Sequence, residues 1–246
     1  MNYLAHGYRF LDDPLFMAGT AVPDWLSVVD RRVRVRSRSL SRHMATVHPS
    51  DGRLISGMLQ HLADDDVFHR CPTFMMLESE LGSLFRRTMP DPFDHRPGFL
   101  GHIVTELLLD AFIAENHPGV LKRYYCSMSN VVAEEVQRVV NLVATQSTAK
   151  LAWFIDRFRE VQFLYDYLSD AGLAARLNQV LRRVTLPALE DEHTAAIRDA
   201  RMLVREHGEL LLSTVETARR LVGIQGSAAV DHQAADETIN REEFDR

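Results

Sequence analysis

The stretch HLADDDVFH, residues 61–69, places two histidines and three aspartates close together. On a helix, each step of four residues advances about 40° round the axis, so His61, Asp65 and His69 share one face. Asp64 lies beside that face and Asp66 points away. A second stretch, GHIVTELLLDAFI, repeats the spacing with His102, Glu106 and Asp110. There the intervening residues are Ile103, Val104, Leu107, Leu108 and Leu109, so that helix should be buried over most of its surface. Buried carboxylates are costly unless a cation or hydrogen-bond donors compensate them. Imidazole nitrogens and carboxylate oxygens presented inward from separate helices are the ligands of mono- and dinuclear centres. The two ladders together predict a site for one or two divalent ions, with manganese, iron and zinc all compatible. The expected ligands are His61, Asp65, His69, His102, Glu106 and Asp110. A carboxylate left out of the ligand set, Asp64 or Glu106, would accept a proton from water. Taken singly, either ladder also reads as a solvated helix face.

The amino-terminal segment adds two candidates. His6, in MNYLAH, reads as a ligand or as a hydrogen-bonded core histidine. Asp24, in GTAVPDWL, reads as a ligand or as the N-cap of a helix restarting after Pro23. Downstream, RRVRVRSRSLSRH supplies a run of arginines. Arg31, Arg32 and Arg34 are expected to hold a substrate phosphate if that run serves the site. A solvated loop, or a short strand over its alternating part, is the other reading of the same residues.

These residues need helices to carry them, and the chain supplies helices almost throughout. Apolar residues recur at three- and four-residue spacing, and strand alternation is nearly absent. Helices are expected over residues 2–10, 15–29, 52–69, 72–88, 99–116, 120–144, 148–169, 171–184 and 187–221. Residues 30–50 read as a loop, and the proline-rich 89–98 as a break. His95 and Arg96, within that break, are expected as turn residues. The aromatics Trp153, Phe154, Phe158, Phe163 and Tyr167 repeat at helical spacing and read as core or subunit contact. An all-α fold follows, with one compact helical domain over 1–223. The small and acidic residues of 224–246 read as a disordered tail.

Composition narrows the partners. A net charge of −6 argues against general nucleic-acid binding, so none is expected. Two cysteines, Cys71 and Cys126, make no disulfide framework. No basic segment leading into an apolar one is visible, and no apolar run reaches the roughly 18 residues of a membrane span. The expectation is a cytoplasmic protein with no membrane span.

MNYLAH, the Gly19-to-Asp24 turn, Gly57-Met58-x-x-His61-x-x-x-Asp65 and Leu109-Asp110-x-Phe112, in that order, resemble the acyl carrier protein phosphodiesterase family. That family is related to the HD-domain phosphohydrolases. The resemblance covers roughly the first 115 residues in short patches. It implies an HD-domain-like multi-helix bundle and a metal-dependent phosphodiesterase acting on a small-molecule or carrier-linked phosphoester. Residue by residue, it makes His6, Asp24, His61, Asp65 and Asp110 the matching polar positions. Leu62 and Ala63 stand where the family has arginines, and Ala111 where it has histidine.

The function expected is therefore a metal-dependent hydrolase, a phosphoesterase or phosphodiesterase. Two alternatives stay open. One is a non-catalytic helical protein with a structural histidine–carboxylate network. The other is a metal-dependent hydrolase of a lipid or another non-phosphate substrate.

Overall fold

The computed structural model describes residues 1–88, 96–190 and 193–221. Among the described residues the regular structure is entirely helical: α1 Tyr3–Gly7, α2 Pro14–Val29, α3 Ser37–Met44, α4 Pro49–Phe68, α5 Pro72–Thr88, α6 Pro97–Asn116, α7 Val120–Ser129, α8 Ala133–Val143, α9 Leu151–Val161, a 3-10 helix Phe163–Leu168, α10 Asp170–Arg183 and α11 Thr194–Leu221. The expected 224–246 tail and His95 lie outside the described residues.

Two helix pairs dominate the packing, α2 along α4 and α5 along α6, and α11 lies across α4, α5 and α6. The α2–α4 pair is pressed backbone to backbone. A Cβ on Gly19 would stand 2.2 Å from the Leu54 carbonyl oxygen, and one on Gly57 would stand 2.0 Å from that of Phe16. Only glycine fits at this crossing. One helical turn beyond Gly57 comes His61, so this approach sets how closely the His61 ring meets α2.

The helix α6 starts at Pro97, two residues before the expected position, because proline is well suited to the first helical turn. By length and composition, α6 could cross a membrane, although 61% of its apolar stretch is buried inside the protein. Its apolar character is that of a core helix: Leu100, Val104, Leu108, Leu109 and Ile113 are all buried.

Several expectations are corrected. Residues 30–50 contain α3, which a single buried residue, Leu40, anchors against α4 and α8. One apolar anchor among arginines and serines is too sparse to register as periodicity. The segment before α3 keeps its alternation, with Val33 and Val35 buried and Arg32, Arg34 and Arg36 exposed. It forms no strand. Instead, Thr145 N–H donates to the Arg34 carbonyl at 2.9 Å, and Arg34 N–H donates to Thr145 Oγ1 at 3.1 Å.

The single helix expected over 120–144 is two. Ser129 and Asn130 side chains both donate to the Cys126 carbonyl, local bonds that compete with helix continuation. The helix expected over 148–169 ends at Val161, where Gln162 adopts a left-handed conformation with φ 48°. The last helix starts at Thr194. Before it, Leu189 is held in extended chain by both ends of the Asn178 amide.

Candidate metal centre

Two helices, α1 and α4, bring His6, His61 and Asp65 together. Their ligand atoms all lie within 4.8 Å of one another. Both histidines are buried, and their rings stack at 3.9 Å between centroids with 24° between planes.

The hydrogen bonds on the far side of each ring assign its tautomer. The Nδ1 atom of His61 lies 2.8 Å from the Thr20 carbonyl oxygen, so it carries the proton and donates. That of His6 faces Asp64 Oδ2 at 3.4 Å, again an acceptor. In a neutral ring each Nε2 is then a lone pair. Both point at one carboxylate, His6 Nε2 at 3.2 Å from Asp65 Oδ1 and His61 Nε2 at 3.3 Å from Asp65 Oδ2. The His6 contact is close but is not aligned as a hydrogen bond, and this buried nitrogen has no hydrogen-bond partner. The Met1 ammonium offsets part of the charge on Asp65, and a cation between that carboxylate and the two nitrogens would offset the rest. With an outer acceptor behind each ring, the group could hold a metal ion.

Asp24 makes the same point from α2. The continuous helix Pro14–Val29 runs through Pro23, so Asp24 is an interior helical residue and not the N-cap that the proline suggested. Its Oδ2 is buried with no hydrogen-bond partner. Burial, with Asp65 and Glu106 nearby, pushes its carboxyl up to about 7, against the opposing pull of His61 and the Met1 ammonium. Burial thus favours the protonated form of Asp24, and a cation beside it would favour the ionised one.

A second group lies alongside, made by His69, His102 and Glu106. Glu106 Oε1 is 3.0 Å from His69 Nε2 and 3.4 Å from His102 Nε2. The two rings stack at 4.9 Å. The Nδ1 atom of His102 faces Glu78 Oε1 at 3.1 Å, which repeats the pattern of an outer acceptor behind an inward ring. This group is half-buried, with His69 32% and His102 33% exposed, so it faces solvent where the first does not. Although burial works against it, the carboxyl of Glu106 is held well below its ordinary range by the Met1 ammonium, His102 and His69. The two groups meet at that ammonium, which donates to Asp65 Oδ1 at 2.7 Å and to Glu106 Oε1 at 3.1 Å. Burial alone would lower the ammonium's pKa, yet Glu106 and Asp65 raise it to about 10.

Two expected site residues play other parts here. Asp110 accepts the backbone N–H groups of Leu4 at 3.0 Å and Ala5 at 2.8 Å, so its oxygens cap α1 and position His6. The N-cap residue of α1, Asn2, makes no side-chain cap bond to the helix and donates instead to the Tyr167 hydroxyl at 3.3 Å. Asp64, expected as a proton acceptor, is enclosed and engaged. Gln60 donates to it at 2.6 Å and Arg219 binds both its oxygens. Asp66 is on the exposed side, paired with Arg70.

Of the arginine run, Arg31 reaches a cavity that Asp24 and Glu106 also line. Arg32 turns back to Asp30 at 3.3 Å, and the Arg34 side chain is exposed. Sequence reasoning missed Glu78, Gln60 and Arg219. A glutamate at the right distance along α5 was visible, whereas nothing marked Arg219, 155 residues from Asp64. Phe158 and Tyr167 are buried core as expected, with Phe154 and Phe163 packed against it, and all four also line that same cavity, which sequence reasoning did not show. Trp153 is 69% exposed.

The donor set, nitrogen and oxygen without thiolate, fits manganese, iron(II) or zinc. Comparison with protein-family models, with curated proteins and with solved structures gives no match.

Proposed function

We propose that the protein is a metal-dependent hydrolase whose substrate is a phosphoester. The observation that carries this reading is the pair of His6 and His61 Nε2 lone pairs converging on Asp65, with the unpartnered Asp24 beside them. His6, His61, Asp65 and Asp24 would hold one divalent ion, and His69, His102 and Glu106 would hold a second. Such ions supply Lewis acidity at a phosphoryl oxygen and an activated water at neutral pH.

The chain's own residues prepare that chemistry. Thr20 and Asp64 fix the two imidazole tautomers from behind. Glu78 does the same for His102. Asp110 fixes α1, and hence His6, against α6. Hydrolysis joins a water oxygen to phosphorus and releases the ester oxygen with a proton; with only the first ion bound, Glu106, at the boundary of the cavity and outside that ion's ligand set, is placed to carry that proton. The order of the four short motifs that resemble the carrier protein phosphodiesterases supports a phosphoester and an HD-domain-like arrangement.

Elemental analysis after reloading with manganese, iron(II) or zinc tests the reading. At least one equivalent per chain is expected, lost in His61→Ala, together with turnover of a generic aryl phosphodiester. Less than about a tenth of an equivalent of any of these metals would overturn it.

A further inference from the structure

The cavity beside the candidate metal centre has a volume of about 630 Å³. Asp24 and Glu106 stand on its wall, so whatever enters it meets carboxylates of the candidate centre. Much of the remaining wall is apolar and aromatic, with Phe99, Ile103 and Leu107 from the same helix as Glu106 and Phe154, Phe158 and Phe163 from α9 and the 3-10 helix. Catalytic chemistry on phosphate needs no such surface. An apolar wall of this kind serves the non-reacting part of a ligand.

The cavity also carries guanidinium groups of two kinds. Arg176 is held by Asp166 and lies over the Phe163 ring, and Arg157 is paired with Glu160. Arg31 and Arg183 differ: neither has a carboxylate partner among the described residues. The Arg31 guanidinium lies against the Arg183 backbone, its Nη2 donating to the Arg183 carbonyl at 3.4 Å. They come from the end of α2 and the end of α10, and both side chains are exposed at the cavity edge. Uncompensated guanidinium groups bordering a concave site recognise phosphate or carboxylate.

We propose that this cavity binds an organic phosphoester with one apolar group, aryl or short alkyl. Arg31 and Arg183 hold its anionic part, and Phe154, Phe158 and Phe163 hold its apolar part. That this ligand is the substrate rests on the hydrolase reading above; that the cavity selects it does not.

Isothermal titration with hexylphosphonate, methylphosphonate and 1-hexanol tests the proposal, because the phosphonates resist hydrolysis. Titrations are run on chelator-treated and on manganese-loaded protein. Hexylphosphonate should bind at least about tenfold tighter than methylphosphonate, from its added apolar surface. It should also bind at least about tenfold tighter than hexanol, from its charge. The double variant Arg31→Gln/Arg183→Gln should erase the advantage over hexanol, and Phe154→Ser the advantage over methylphosphonate. Equal affinity for the two phosphonates, or hexanol as tight as hexylphosphonate, in wild-type protein overturns the proposal without reliance on any variant. Bound metal and turnover with no such selectivity overturn the cavity assignment and leave the hydrolase reading standing. This selectivity in protein that takes up no metal does the reverse.

Discussion

Arg219 Nε donates to Asp64 Oδ1 at 3.0 Å and its Nη2 donates to Oδ2 at 2.5 Å, a two-pronged pair buried beneath the stacked rings of His6 and His61. The same carboxylate faces His6 Nδ1, and the same guanidinium reaches the His6 carbonyl at 3.4 Å. One residue of α11 therefore fixes both the ring and the backbone of a candidate ligand on α1. Removing Arg219 leaves Asp64 buried and charged without its main partner. Arg219→Ala should lower the unfolding free energy of metal-free protein by about 3–5 kcal/mol, measured by urea denaturation. Arg219→Met with Asp64→Asn should restore part of that loss while metal affinity stays about 10–100-fold weaker, read by chelator competition. An Arg219→Ala protein as stable as wild type would remove the pair from the account.

Asp24 separates stability from metal binding. Its buried carboxylate has an unpartnered oxygen, and its ionised form is disfavoured by burial. Asp24→Asn keeps the shape and removes the charge. In chelator-treated protein at about pH 8 the variant should melt higher than wild type. In metal-loaded protein the order should reverse, because the wild-type carboxylate gains an ion. A variant less stable than wild type in both states would show that Asp24 serves the fold alone.

The pH dependence of metal-free protein has a definite sign. Burial raises the carboxyls of Asp24 and Asp110 from 3.8 to about 7. Between those values the folded chain holds more protons than the unfolded one. The stability these two groups contribute is complete below about pH 4 and is lost as pH rises through about 7. Asp65 and Glu106 act oppositely: their carboxyls are lowered, so their contribution is present above the ordinary carboxylate range and is lost in acid. Urea denaturation in chelator should therefore find greatest stability near about pH 5. A fall on the order of a few kcal/mol should follow by about pH 8. Saturating divalent metal should flatten that fall. A metal-free curve that rises from about pH 5 to about pH 8 contradicts the assignment.

Gly57 tests whether the helix crossing sets the site. A Cβ there meets the Phe16 carbonyl at 2.0 Å, a backbone atom that cannot swing aside, so α2 and α4 must separate. Gly57→Ala should destabilise the protein by about 1–3 kcal/mol or more. Separation would also lengthen the His61-to-Thr20 bond and weaken metal binding. Thermal melts and metal titration of the same sample read both effects. An unchanged metal affinity would show that the site tolerates the shift.

The histidine–carboxylate strip was legible because α4 and α6 are regular over the residues that matter. His61 to Asp65 and His102 to Glu106 are each one turn apart, and helical spacing alone brings them onto one face. The all-helical architecture was legible for the same reason. What could not be read were relationships across long separations. Asp110 and Asp64 have the composition of ligands, yet their oxygens go to the Leu4 and Ala5 amides and to Arg219, partners set only by the packing of α1 and α11. The breaks at Asn130 and Gln162 were hidden too, since neither residue is a strong helix terminator and apolar spacing continues on both sides. The aromatic run was legible as core, but periodicity shows only that a face is covered, so the cavity that the same rings border stayed hidden.

The clasp between Asp64 and Arg219 has a consequence for how the molecule is made. Synthesis delivers His6, His61 and Asp65 early and Arg219 more than 150 residues later. Until α11 has emerged and docked, Asp64 lacks its guanidinium and the His6 ring lacks its brace. A nascent chain thus exposes His6, His61 and Asp65 long before Asp64 and Arg219 can brace them. The order of this group waits in that sense on the docking of α11, and a chain cut within α11 would carry the same three side chains without the brace behind them.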